Sequence, residues 1–126
     1  GKRDGITVFG RDYDTQDGTC IRDYIHIVDL CEAHWLSMQY MLVSNKSHRY
    51  NLGNGQGFSV AQVIAACRHV SARNISVVEG KRRVGDPAVL VADSTLIQDT
   101  LGWIPKYNDL SVIIRHAWSW EKKQSE

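Results

Sequence analysis

Ser59-Val60-Ala61-Gln62 is a helix-capping box set just behind Gly53-Asn54-Gly55-Gln56-Gly57. In such a box the serine hydroxyl accepts from the N–H three residues on. The glutamine side chain returns the bond to the cap's own N–H. A helix therefore starts at residue 60, and the chain turns just before it. Arg49-Tyr50-Asn51-Leu52, ahead of the glycines, reads as a strand. A strand–turn–helix unit in mid-chain points to mixed α/β architecture.

The same punctuation recurs on both sides. Thr7-Val8-Phe9 is a strand candidate ending at Gly10, and residues 11–19 are rich in turn formers. Asp29, with Glu32 three residues on, is a candidate cap for a helix to about Leu42. Its stripe of Cys31, Trp35, Met38 and Leu42 has helical spacing and is expected to face a core. Val60, Val63, Ile64 and Cys67 give the capping-box helix its apolar face. Ile75 to Glu79 reads as a strand, Gly80 to Pro87 as an irregular basic loop, and Ala88 to Ala92 as extended chain. Asp93 caps a short helix that Gly102 closes, with Pro105 just beyond. Leu110, Ile113, Ile114, Ala117 and Trp118 mark a last helix capped by Asn108 or Asp109, with a tail that frays from Glu121.

A chain of 126 residues, 43% hydrophobic and 23% charged, suits one soluble domain with a modest core. A net charge of +1 gives no broad electrostatic basis for binding nucleic acid or an anionic membrane. No apolar run is long enough to span a bilayer. Cys20, Cys31 and Cys67 lie far apart and form no C-x-x-C, which argues against a disulfide framework or zinc and points to the reducing cytoplasm. Cys31 and Cys67 fall on apolar helix faces and read as small core residues. The five histidines make no H-E-x-x-H, so no metal is expected.

Two polar clusters stand out. Arg22-Asp23-Tyr24-Ile25-His26 follows the turn at Gly18; Arg22 and Asp23 could pair with each other. As a short strand, the segment would place Arg22, Tyr24 and His26 on one face. The second cluster, Arg82-Arg83-Val84-Gly85-Asp86-Pro87, carries a Gly-Asp-Pro turn able to aim one guanidinium at a phosphate. Gly53-x-Gly55-x-Gly57 is not a dinucleotide fingerprint, because Phe58 and Val60 stand where the third glycine belongs.

The order Val8-Phe9-Gly10-Arg11-Asp12-Tyr13, Asp17 to His26, Tyr50-Asn51-Leu52-Gly53, Phe58-Ser59-Val60, Arg82 to Ala88, Ala92-Asp93, Leu101-Gly102-Trp103 and Trp118-Ser119-Trp120 resembles the C-terminal part of the UDP-glucose 4-epimerases. These are extended short-chain dehydrogenases/reductases. The resemblance implies that residues 1–126 form the α/β substrate-binding lobe of such an enzyme, with the Rossmann core missing. It also implies that the strand near residues 49–53 pairs with that absent sheet. By the same resemblance, Phe9 lies by the uridine and Val60 lines its pocket. Arg22 and Arg83 reach the diphosphate, Tyr24 and Asp86 add polar contacts, and Leu90 stands beside the sugar.

The family oxidises and reduces the sugar at C4 with NAD, using a tyrosine in Y-x-x-x-K as base. None of the five tyrosines here has a lysine four residues on, and no NAD fingerprint is present. No catalytic or cofactor-binding residue is therefore expected in this chain, and NAD belongs to the full-length parent. The chain reads as a C-terminal fragment, inactive alone, that leaves apolar surface open and so self-associates or is marginally stable. The alternatives are a UDP-pentose or UDP-uronate epimerase of the same superfamily, or a non-catalytic UDP-sugar-binding module.

Overall fold

The computed structural model describes residues 3–124. Five short strands and four helices are found among them: β1 (Ile6–Phe9), β2 (Ile21–Asp23), α1 (Ile27–Ser44), β3 (Gly57–Ser59), α2 (Val60–Ser71), β4 (Val77–Gly80), β5 (Val89–Leu90), α3 (Thr95–Leu101) and α4 (Leu110–Lys123). The mixed α/β reading holds. β1 pairs in parallel with β4, with Phe9 opposite Gly80. A second sheet has β2 at its centre, antiparallel to β3 and parallel to β5.

The capping box forms as expected. Ser59 Oγ accepts from Gln62 N at 3.1 Å, and Gln62 Oε1 accepts from Ser59 N at 2.8 Å. Thr19 Oγ1 adds a bond from Ala61 N at 3.2 Å, while the Asp17 carboxylate accepts from both the Thr19 and Ser59 hydroxyls. The apolar stripe of α2 then packs on α4. Asp109 caps α4 by accepting from Val112 N at 2.9 Å, and α4 continues past Glu121 to Lys123. The N-cap of α3 is Ser94 and not Asp93, whose carboxylate nonetheless accepts from Thr95 N at 2.9 Å; Gly102 closes the helix with φ 66°.

Helix α1 departs from expectation in two ways. Its cap is His26, whose Nδ1 accepts from Val28 N at 3.1 Å, and not Asp29. Its inward face is Asp29, Ala33 and Leu36, packed against α3; the core is Ala33, Ile97 and Trp103, with Tyr50 and Leu52 against it. The predicted stripe points outward: Trp35 is 57% exposed, Leu42 73%, and Met38 and Cys31 are exposed too. Cys67 is half-buried. Both faces of α1 show helical spacing. Spacing alone cannot choose between them, and the buried face was disguised by Asp29.

Residues 49–52 form no ladder among the described residues, so the strand expected there has no partner within them. Among the described residues, no strand lies alongside to take their backbone groups. Their side chains nonetheless alternate, with Tyr50 and Leu52 half-buried and Arg49 and Asn51 exposed. Gly53 and Gly57 after them are needed for close packing. A Cβ on Gly53 would come within 2.2 Å of Asp23 Oδ2, and one on Gly57 within 2.4 Å of Ile21.

His26 also ties α1 to α4. Because its Nδ1 accepts a backbone N–H, the neutral ring carries its proton on Nε2, which lies 3.0 Å from His116 Nδ1. Tyr107 stacks on the same ring at 4.3 Å between centroids. Burial, and then the neighbouring His116, hold the His26 imidazolium below its ordinary pKa, against a smaller pull from Asp29. The unfolded chain thus takes this proton first. The contribution to stability is complete above about pH 6.5 and is lost as pH falls below it toward the folded value. His26→Asn keeps a capping acceptor without the titration. Thermal melts at pH 7.5 and 5.5 are expected to show a larger drop in Tm for the wild type than for this variant; equal drops would refute the assignment.

Candidate functional site

Arg22 sits on the central strand β2, in register with Phe58 on one side and Leu90 on the other. Paired residues of neighbouring strands share a face of the sheet, so Arg22 and Leu90 stand side by side. One guanidinium nitrogen of Arg22 donates to Ile21 O at 2.6 Å, and another donates to the Asp86 carboxylate. The two charged side chains are only 21% and 26% exposed. Arg22 therefore pairs with Asp86 from the second cluster and not with its neighbour Asp23. Asp23 instead binds backbone: Oδ1 accepts from Asn54 N at 3.0 Å and Oδ2 from Ala92 N at 3.3 Å. It clips the ends of two loops to β2, a role that no local pattern in the sequence signals.

The second cluster is organised by one turn. Asp86 N donates to Arg83 O at 3.3 Å, and Gly85, third in the turn, has φ 78°. That sign is what a type II turn requires at this position and is why glycine stands there. The turn holds Asp86 at one end against Arg22 and Arg83 at the other over Phe9, with the Arg83 Cζ 4.0 Å from the ring centroid. It thus joins the two clusters that lie far apart in sequence.

Neighbouring charges are neutralised locally. Arg82 Nε is 2.7 Å from Asp12 Oδ1 and its guanidinium lies over Tyr13 at 4.2 Å, while Arg11 Nε is 2.7 Å from Glu79. Arg83 has no carboxylate partner among the described residues. Burial and then the Asp86 carboxylate push the Tyr13 phenol up.

Tyr24 lies one residue past β2 and is half-buried; desolvation raises its pKa, so at neutral pH it is a hydrogen-bond donor. Val60 lies one residue past β3, with its N–H on Cys20 O at 3.1 Å. The structure therefore unites Arg22, Asp86 and Leu90 through the sheet, and Phe9 with Arg83. Tyr24 and Val60 flank them. His26 does not share the face of Arg22, because the chain leaves β2 at Asp23 and turns the imidazole inward, where it is 4% exposed. An open hollow of about 500 Å³ borders Gly10, Arg11, Gly80 and Arg82.

Among the described residues, no group of three histidine, cysteine or acidic side chains could hold a metal, and no helix is long and apolar enough to cross a membrane. The N-terminus of α2 offers no open donors to a dinucleotide. The first-turn N–H groups of α2 already bond to Cys20 O, Thr19 Oγ1 and Ser59 Oγ, leaving none for a pyrophosphate.

Residues 9–115 match a family profile described as GDP-mannose 4,6 dehydratase. A UDP-glucose 4-epimerase of Halalkalibacterium halodurans is 48% identical over 123 residues, covering 98% of this chain and 37% of that protein. A crystal structure of a UDP-glucose 4-epimerase superposes with a TM-score of 0.91 at 48% identity, over 100% of this chain and 38% of that one. The UDP-glucose 4-epimerase of Bifidobacterium longum, solved with NAD+ and UDP, gives a TM-score of 0.83 at 33% identity, over 99% and 37%. The chain thus spans little more than a third of the length of the relatives it matches.

Proposed function

Because this chain belongs to the family described as GDP-mannose 4,6 dehydratase, we propose that it is the UDP-sugar-binding, C-terminal part of a UDP-glucose 4-epimerase acting in the cytoplasm on UDP-glucose and UDP-galactose. In this reading Arg22 and Arg83 hold the diphosphate. Phe9 and Val60 flank the uridine, Tyr24 and Asp86 bond to the nucleotide, and Leu90 stands beside the sugar. The observation that carries the reading is the turn at Arg83–Asp86, which links a guanidinium on an aromatic ring, through Asp86, to a second guanidinium on a sheet. Guanidinium forks next to an aromatic wall suit a nucleoside diphosphate.

NAD and the tyrosine base of the family's chemistry would belong to the rest of the full-length protein, and no step is routed through residues of this chain. The outward apolar face of α1 and the unpaired segment 49–52 fit a lobe that a Rossmann half covers; without that half, they favour self-association. Calorimetric titration of the chain with UDP tests the proposal. Arg22→Ala is expected to weaken UDP binding by about 1.5–3 kcal/mol, the worth of a charge-assisted bond. Equal affinity in wild type and variant would remove Arg22 from the site. Turnover of UDP-galactose by the chain alone would contradict the assignment of catalysis to the remainder. Parallel titrations with UDP-pentose and UDP-uronate address the rival substrates.

A further inference from the structure

Resting on the uridine-diphosphate reading above, we infer that Arg83 exchanges between two positions, one on the Phe9 ring and one bonded to diphosphate. This exchange makes the site select against nucleosides that lack phosphate. Phe9 is 36% exposed with the guanidinium 4.0 Å above its centroid. A base stacking on that face must first displace the guanidinium. Gly80 closes on the ring from the paired strand: a Cβ there would lie 3.1 Å from Cδ1 and 3.4 Å from Cε1. Gly80 thus leaves the ring little room on that side, while Arg83 is exposed and is the part able to move.

The neighbouring Arg82 shows what a fixed arginine looks like here. It has the Asp12 carboxylate at 2.7 Å, the Tyr13 ring at 4.2 Å, and Gly10 so close that a Cβ would come within 2.7 Å of its Cγ. Arg83 has the ring contact and no carboxylate among the described residues. The backbone beneath it is pinned by the turn bond to Asp86 and the Asp86–Arg22 pair, so the side chain swings without the loop opening. An exposed cation–π contact is weaker than a charge-assisted bond to phosphate, so a diphosphate draws Arg83 off the ring while an uncharged nucleoside does not. Base and phosphate recognition then reinforce each other through one side chain.

Titration of the full chain with UDP and with uridine, followed by two-dimensional NMR, tests this in wild type and Arg83→Ala. UDP binding is expected to weaken by about tenfold or more in Arg83→Ala. Uridine binding is expected to tighten by about two- to fivefold, because its stacking face is now open. A residue that only contacted phosphate would leave uridine unchanged, and that result, or weaker uridine binding, overturns the exchange while leaving nucleotide binding intact. The Arg83 Nε–Hε signal supplies a second readout. It is expected to be ring-shifted in the free wild type, unshifted in Phe9→Leu, and moved off the ring position by UDP. A signal unmoved by saturating UDP overturns the exchange. Failure of the wild type to bind either ligand overturns the nucleotide reading itself, and the exchange with it.

Discussion

Asp29→Ala is expected to lower unfolding stability by about 2–4 kcal/mol, read as a fall in the urea midpoint without loss of slope. Asp29 is fully buried, yet its carboxylate is satisfied: Oδ1 accepts from Lys106 N at 3.1 Å and Oδ2 from Tyr107 N at 2.9 Å. Removing it strands two backbone donors at once and opens a small void. Each unmet donor costs about 1–3 kcal/mol where water cannot replace the partner. The exposed Lys106–Glu32 pair nearby adds little, because it remains solvated. Asp29→Asn keeps an acceptor for one N–H but turns a donor toward the other, so its loss is expected to be smaller than that of alanine. A loss below about 1 kcal/mol for alanine would show that the loop at Lys106–Tyr107 does not depend on this clamp.

Asp29 also marks the boundary of what the sequence revealed. As an aspartate followed three residues later by glutamate, just ahead of an apolar run, it has every local sign of a helix cap. Its real partners lie more than seventy residues away, where no local pattern points. Reading it as a cap moves the helix start and turns α1 inside out: the stripe through Trp35 and Leu42 is then taken for the core side, while Ala33 beside Asp29 is the residue wholly buried. The box at Ser59–Gln62 was legible because all of its bonds are local, and so was the end of α3 at Gly102. The strand read at residues 49–52 from β propensity was expected to pair outside this chain, and it has no partner among the described residues. In the site, the two clusters were visible as chemistry. Their join was not, because the Arg22–Asp86 pair and the seat of Arg83 on Phe9 are set by sheet register and one glycine turn.

Trp103→Ala is expected to cost about 3–5 kcal/mol, a large share of the stability of a domain this size. Trp103 is 1% exposed and fills the space between Ala33 on α1 and Ile97 on α3, with Leu36, Tyr50, Leu52 and Leu101 around it. Its Nε1 donates to Asp29 O at 2.9 Å, so truncation removes the ring together with that bond and opens a cavity that Ala33 is too small to fill. Trp103→Phe keeps most of the packing and is expected to lose less. The damage reaches the site by a traceable route. Leu52 packs on this core, Gly53 is held through its N–H and C=O by the Ser94 hydroxyl, and Asn54 N donates to the Asp23 carboxylate at the end of β2. Loosening the core around Leu52 frees that clip, and with it the strand that carries Arg22. UDP titration is expected to show binding lost or much weakened in Trp103→Ala and kept in Trp103→Phe, under conditions where the phenylalanine variant is folded. Unchanged UDP affinity in a folded Trp103→Ala would separate the core from the site and show that Asp23 holds β2 without it.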